Sequence, residues 1–322
     1  MSGVPRAAVA VAMPIIRVVS EEAERRLTDA GIDQPALEAA WLLEHALGLS
    51  PLMQRVQADH ELTDAECECA RALVARRTRR EPLQYVLGTQ EFCGREFQVT
   101  PAVLIPRPES ALLVAEAVRR CADHPAATIV DVGTGSGCLA VSVALALPHA
   151  RVVAIDVSAE ALAVAQRNMV QHGCDARIDC LQGDLLAPID APAWRHKIDV
   201  MVSNPPYIAD GDLATLQPEV GCFEPRLALA GGPDGMGVHR RLLQQAPSYL
   251  KTGGALLMEV GLGQAAAVCR LAEESGWFQT AAVLQDDAGI ARVVCFEKNE
   301  SHVEPVASDH CKGQGLDPDE TG

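Results

Sequence analysis

From about Leu112 to Glu297, short β-branched runs alternate with helical segments, and that alternation leaves the chain few folds to choose from. The strand candidates are Thr128–Val132, Arg151–Ile155, Ile178–Leu181, Ile198–Val202, Ala255–Val260 and Arg292–Phe296. Repeated βαβ units of this kind give an α/β fold, a mostly parallel sheet with helices on both faces. Aromatic residues are only 3% of the chain against 48% apolar, so Ala, Val and Leu must fill the core. A length of 322 residues leaves room for a second, smaller domain.

That smaller domain is expected between about Ser20 and Arg80, which reads as helices joined by short turns. Asp33 is expected to cap a helix with Pro35 in its first turn, and Gly48 to end it. Leu37, Ala40, Trp41, Ala46 and Leu47 fall on one apolar stripe at spacings of three and four. Thr63-x-x-Glu66 is a capping box, with Leu62 and Cys67 placed for a hydrophobic staple. The cluster Arg76, Arg77, Arg79 and Arg80 is expected to be a solvated face favoured by the helix dipole. Contact with an acidic or RNA-bearing partner is its alternative reading. Phe92, Cys93-Gly94 and Phe97-Gln98-Val99 then predict a hairpin, and Pro101, Pro106 and Pro108 exclude a helix there.

Both ends read differently. Ala7 to Ile16 is apolar but about half the ~20 residues a spanning helix needs, and Pro14 interrupts it. No A-x-A cleavage site follows, so a frayed leader, or a true start at Met13, is expected. From Glu297 onward seven acids face two lysines, the signature of a disordered tail. The expected division is therefore a leader over 1–19, a helical domain over 20–87, a hairpin linker over 88–108, an α/β domain over 109–297 and an acidic tail over 298–322. A net charge of −16 argues against bulk electrostatic binding to nucleic acid. The 11 cysteines are odd in number and form no Cys-x-x-Cys, which fits reduced thiols in a cytoplasmic protein and no metal site.

Two motifs carry chemistry. The first candidate strand runs into Asp131-Val132-Gly133-Thr134-Gly135-Ser136-Gly137-Cys138. Glycines at a strand-to-helix turn admit a ligand close to the backbone, beside free helix N–H groups. A dinucleotide fingerprint would need its third glycine where Cys138 stands, and no P-loop lysine follows. Asp156 ends the second strand, placed to accept hydrogen bonds from ribose hydroxyls. Asp184 and Leu185 follow the third strand on the same edge. These stations describe a nucleoside-shaped cleft for an adenosine ligand lacking pyrophosphate, for which S-adenosylmethionine is the obvious candidate.

The fourth strand delivers Ser203-Asn204-Pro205-Pro206-Tyr207. Asn204 precedes a proline and is held extended. A planar NH₂ group is poorly nucleophilic because its lone pair is delocalised. The Asn204 side-chain oxygen and the Pro205 carbonyl can accept its two N–H bonds and aim it at a methyl group, with Tyr207 stacked on its plane. Pro206, like Pro205, has no N–H to extend a ladder.

With these motifs in hand, the chain from about Ser20 to Glu297 resembles the HemK/PrmC family, the N5-glutamine methyltransferases of peptide chain release factors. The resemblance rests on Glu81 to Gly88, Glu91-Phe92, Leu104-Ile105-Pro106-Arg107-Pro108-Glu109, Asp131 to Cys138, Ala154-Ile155-Asp156 and Val202 to Ile208. Glu224-Pro225-Arg226, Gly231 to Gly235 and Gly289 to Val294 extend it. It implies a small all-α N-terminal domain, a hairpin linker and a class I S-adenosylmethionine-dependent methyltransferase domain. It implies further that Gly133, Thr134, Gly135, Ser136 and Gly137 face the cofactor's methionine end and Asp156 its ribose. Asp184 and Leu185 would lie at the adenine, though some relatives have Trp where Leu185 stands. Asn204, Pro205, Pro206 and Tyr207 would hold the glutamine of the Gly-Gly-Gln loop, Asn204 also bordering the cofactor. The implied partners are class I release factors, with no stable nucleic-acid or membrane binding. A glutamine methyltransferase for a large-subunit ribosomal protein, an adenine-N6 DNA methyltransferase and a non-catalytic cofactor-binding regulator are the alternatives. The DNA reading fits poorly with 17 basic against 30 acidic residues over 88–322.

Overall fold

The computed structural model describes residues 13–124 and 126–299. The predicted tail lies outside them from residue 300 onward, as does the leader through residue 12. The N-terminal layer is α1 (Ile16–Asp29), α2 (Pro35–Leu47), α3 (Pro51–Val56), α4 (Asp64–Arg77) and α5 (Leu83–Leu87). Its first helix begins at Ile16, inside the span predicted as leader, because Ile16 and Val19 are buried against Leu27, Leu42 and Leu62.

Local signals at helix ends were reliable where a side chain closes the turn. Thr63 and Glu66 form the capping box at α4, and Gly48 ends α2 in the left-handed region with φ 67°. At α2, however, Gln34 and not Asp33 holds the N-cap, and no side chain caps it. The predicted stripe on α2 is also corrected. Ala39, Leu42 and Leu43 face the core, while Leu37 and Trp41 remain 40% and 39% exposed. Ala46 and Leu47 of that stripe do pack against the core, so spacing picks out only part of the inward face on a helix that is apolar around most of its circumference.

Of the arginine cluster only Arg79 stays exposed as expected; the other three do not form a solvated face. The Arg77 side chain is only 7% exposed and pairs with Glu38 at 2.6 Å and Glu219 at 3.0 Å. Arg80 reaches the same Glu219 at 2.8 Å, and Arg76 pairs with Glu81 at 2.5 Å. The cations close a joint within the molecule.

The hairpin follows as β1 (Thr89–Phe92) and β2 (Arg95–Gln98), antiparallel, with Phe92 and Phe97 buried. Tyr85, Val99, Val103 and Ile105 form a small apolar cluster with Ala161 and Val164. The Tyr85 hydroxyl donates to the Val103 carbonyl at 2.5 Å and pins that seam.

The large domain runs α6 (Ala111–Arg120), β3 (Thr128–Val132), α7 (Cys138–Ala146), β4 (Arg151–Asp156), α8 (Ala159–Gln171), β5 (Ile178–Gln182) and β6 (Ile198–Ser203). It continues α9 (Pro218–Phe223), α10 (Arg226–Leu229), α11 (Gly237–Gln245), β7 (Leu250–Glu259), α12 (Ala265–Ser275), β8 (Phe278–Gln285) and β9 (Ala291–Lys298). Its seven strands lie in the order β5-β4-β3-β6-β7-β9-β8. The first five are parallel, and β9 pairs antiparallel with both neighbours. Alternate residues enter opposite cores: Ile129, Val152 and Leu257 one, Val130, Val153 and Met258 the other. Burial on both faces explains the nearly continuous apolar runs of the inner strands. The chain steps from β3 outward to β5, then crosses back to β6 on the other side of β3, and the ends of these strands frame the site.

Two details of the expected sheet change. β8 was not foreseen, because this edge strand buries only Phe278 and so lacks a strong apolar pattern. The domain also runs one residue past its predicted end. Lys298 completes β9, buried, and donates to the Pro247 carbonyl at 2.6 Å and the Leu250 carbonyl at 3.0 Å. Among the described residues, no helix is long and apolar enough to cross a membrane, and no group of His, Cys, Asp or Glu could hold a metal ion.

Candidate active site

At the carboxyl ends of β3, β4 and β6 lies a cavity of about 270 Å³. Every residue predicted from the sequence to form the site lines it except Gly137 and Tyr207. The glycine turn is fixed from below. Gly133 and Thr134 donate backbone N–H groups to the Ile155 carbonyl at 2.8 and 2.9 Å. Gly135, at φ 55°, donates to Asp156 Oδ2 at 2.9 Å, so the second strand's last acid braces the turn. Asp156 Oδ1 accepts from Ser158 N at 2.9 Å, and Ser158 in turn caps α8. Each carboxylate oxygen thus has one donor and keeps lone-pair capacity toward the cavity. Gly137 is not on the wall because it is a packing residue. A Cβ there would sit 3.1 Å from Ala165 Cβ, and its φ of 79° disfavours any side chain.

Two buried polar residues, Asp131 at the head of the motif and Asn168 outside it, support the turn. Asp131 Oδ2 accepts from Thr134 Oγ1 at 2.6 Å and from Ala140 N at 3.2 Å. Burial is the main cause that pushes its carboxyl up to about 7. Asn168, fully buried on α8, donates to the Ser136 carbonyl at 2.8 Å and to the Gln98 carbonyl at 3.0 Å. Its Oδ1 accepts from Gln98 N at 2.8 Å, so one side chain ties the hairpin to the glycine turn. A polar residue on the inward stripe of a helical pattern was the available signal for Asn168.

On the outer rim, Asp184 pairs with Arg241 at 2.6 Å, and Leu185 takes a positive φ of 51°. Across the cavity, Ser203 Oγ donates to the Val132 carbonyl at 2.7 Å and ties β6 to β3 just before Asn204. Asn204 Nδ2 donates to Ser110 Oγ at 3.1 Å, and Ser110 Oγ donates to Glu259 Oε2 at 2.5 Å. The Tyr207 hydroxyl donates to Glu259 Oε1 at 3.4 Å. Tyr207 therefore turns behind the corner, where the stacking expected of it would have placed it in the cleft. Burial, and then the nearby Glu259 charge, push its hydroxyl up to about 12. Gln264 Nε2 donates to the Tyr207 carbonyl at 2.9 Å. Only glycine fits at 235, where a Cβ would lie 2.3 Å from that same carbonyl. Arg107, on the cavity wall, donates to both oxygens of buried Glu224 at 2.7 and 2.8 Å.

Chemically, the cavity offers the Asp156 carboxylate, with lone pairs to spare, and a glycine turn on one side. On the other it offers a corner of acceptors: the Asn204 side-chain oxygen and the carbonyls of two prolines that have no N–H.

Known proteins share this plan. Residues 19–88 match the PrmC N-terminal domain and residues 109–217 the Methyltransferase small domain. The release factor glutamine methyltransferase of Geobacter sulfurreducens is 47% identical over 279 residues, covering 87% of this chain and 95% of that protein. That of Moorella thermoacetica is 43% identical over 281 residues, covering 87% and 97%. Among solved structures, the hMettl16 catalytic domain in complex with MAT2A 3′UTR hairpin 6 aligns with a TM-score of 0.52 at 15% identity, over 76% of this chain and 85% of that one. That likeness bears on the fold alone.

Proposed function

The chain belongs to the release factor glutamine methyltransferase family, and from that premise we propose that it methylates the side-chain nitrogen of the glutamine in the Gly-Gly-Gln loop of class I peptide chain release factors. The methyl donor is S-adenosylmethionine, which when bound supplies an electrophilic methyl carbon. The cleft's residues fit it. Asp156 retains lone pairs for a ribose diol, the glycine turn leaves its backbone open, and Ile155 and Leu185 give an apolar wall for a purine.

The orientation of Asn204 is the observation that carries the reading. Its Nδ2 is engaged by Ser110, which leaves Oδ1 for an incoming group. With the Pro205 carbonyl, that oxygen accepts the two N–H bonds of a carboxamide and holds its nitrogen in line with the methyl carbon. The same acceptors stabilise the positive charge that builds on nitrogen as the bond forms. As the methyl carbon parts from sulfur, the nitrogen's surplus proton passes to solvent, so no side chain has to act as a strong base.

Purified enzyme with labelled S-adenosylmethionine should add one methyl group to a release factor and none to a Gln→Ala loop variant. Equal labelling of both would overturn the assignment. Ribosomal protein and duplex DNA serve as the comparison acceptors. The net charge of −16 opposes the phosphate grip that duplex DNA and base flipping demand. The reaction belongs to the cytoplasm, where release factors meet the ribosome.

A further inference from the structure

We infer that Ser110 and Glu259 are positioning residues that lock the Asn204 amide with its oxygen toward the acceptor, and so restrict the site to NH₂ groups and turn away their carboxylate counterparts. The inference rests on the glutamine reading above and deepens it.

A serine hydroxyl has one proton. Ser110 gives it to Glu259 Oε2 at 2.5 Å, within the range of a hydrogen bond to an ionised oxygen. Toward Asn204, 3.1 Å away, Ser110 can then act only as an acceptor. The Asn204 atom facing Ser110 must therefore be nitrogen, and its oxygen must face the other way. The opposite amide orientation is excluded, because it would set two acceptors against each other. Ser110 and Glu259 are each 2% exposed, so the pair is shielded from bulk solvent. Glu259 is held in turn. Tyr207 donates to its other oxygen, and His239 Nε2 lies 2.8 Å from its backbone carbonyl. These contacts bring the end of β7, the segment before α6 and the corner after β6 to one point.

The consequence is selectivity. Asn204 Oδ1 and the Pro205 carbonyl present only lone pairs, so they match a glutamine NH₂ and repel a glutamate oxygen. A site whose own amide could rotate would tolerate both.

The test uses the intact enzyme, an intact release factor and its Gln→Glu loop variant as a competitive inhibitor. Ser110→Ala should lower kcat at least about 10-fold, by analogy with losing one preorganised polar partner. Donor affinity by calorimetry should stay within about 2-fold, and the Glu-loop factor should inhibit the variant more strongly than it inhibits wild type. Glu259→Gln should retain more activity than Glu259→Ala, because a glutamine carbonyl can still take the Ser110 proton while its NH₂ faces Tyr207. Wild-type kcat with unchanged discrimination in Ser110→Ala overturns the inference, as does a fall in donor affinity that matches the fall in kcat. A wild-type enzyme that leaves the factor unlabelled overturns the glutamine reading itself, and this inference with it.

Discussion

Arg77 and Glu219, 142 residues apart in the chain, meet at 3.0 Å across the joint between the helical layer and the α/β domain. Arg77 holds Glu38 on its own side as well, so one buried guanidinium closes the joint from both sides. Removing one partner of a buried pair leaves the other uncompensated, at a cost of about 3–5 kcal/mol; here that is Glu38, since Glu219 also pairs with Arg80. We expect Arg77→Ala to lose about 3 kcal/mol in chemical denaturation. Adding Glu38→Gln to that variant should restore part of the loss, because Glu38 pairs with Arg77 while Glu219 keeps Arg80. A single variant within about 0.5 kcal/mol of wild type would show that the joint is held by packing alone.

Asn204→Ala should reduce turnover at least about 10²-fold while donor affinity changes little, the pattern for a group that acts on the acceptor. Steady-state kinetics and calorimetry on the same preparation decide it. Parallel loss of donor binding would move Asn204 to the donor's side of the cleft.

Asp156→Ala should act chiefly on donor affinity, since both carboxylate oxygens belong to the turn and the proposed ribose contact. Calorimetry that finds the affinity unchanged would remove the ribose assignment.

The pH profile should report Glu259. Burial, first of all, raises its carboxyl above the usual 4.5, against the lowering hydrogen bonds from Ser110 and Tyr207. Glu109 raises it further and Arg292 lowers it, while His239 reaches its backbone carbonyl. Ionised Glu259 accepts the Ser110 proton, so kcat should be full above the raised value and fall as pH drops through it. Stability runs the other way. The folded state binds this proton more tightly than the unfolded chain, so Glu259's contribution is complete below 4.5 and is lost as pH rises through the raised value. Glu259→Gln should remove both dependences. An acid limb that persists in this variant assigns it to another group.

How much of this was legible beforehand follows from the kind of signal each residue leaves. The parallel strands announced themselves through apolar runs, and the glycine turn, Asp156 and Asn204 through short motifs beside those strands. Ser110 and Glu259 left no motif. They lie 149 residues apart, and only the crossing of the chain back to β6 brings them together. Arg77 was misread for the opposite reason. Its local context, a basic helix end, is what a solvated face looks like, and its partner Glu219 is invisible at that range. Trp41 shows the limit of periodicity on a helix that is apolar nearly all round.

Strand β3 pairs with β4 on one side and β6 on the other, with Asp131 opposite both Ala154 and Val202. The proposed donor half of the cleft hangs from one ladder and the proposed acceptor half from the other. A two-residue slip in either would shift methyl and amide past each other by about 6.6 Å, far beyond reacting distance. Alignment for chemistry is thus stored in the backbone pairing of a single central strand, so heat should extinguish catalysis at the same temperature at which that strand lets go.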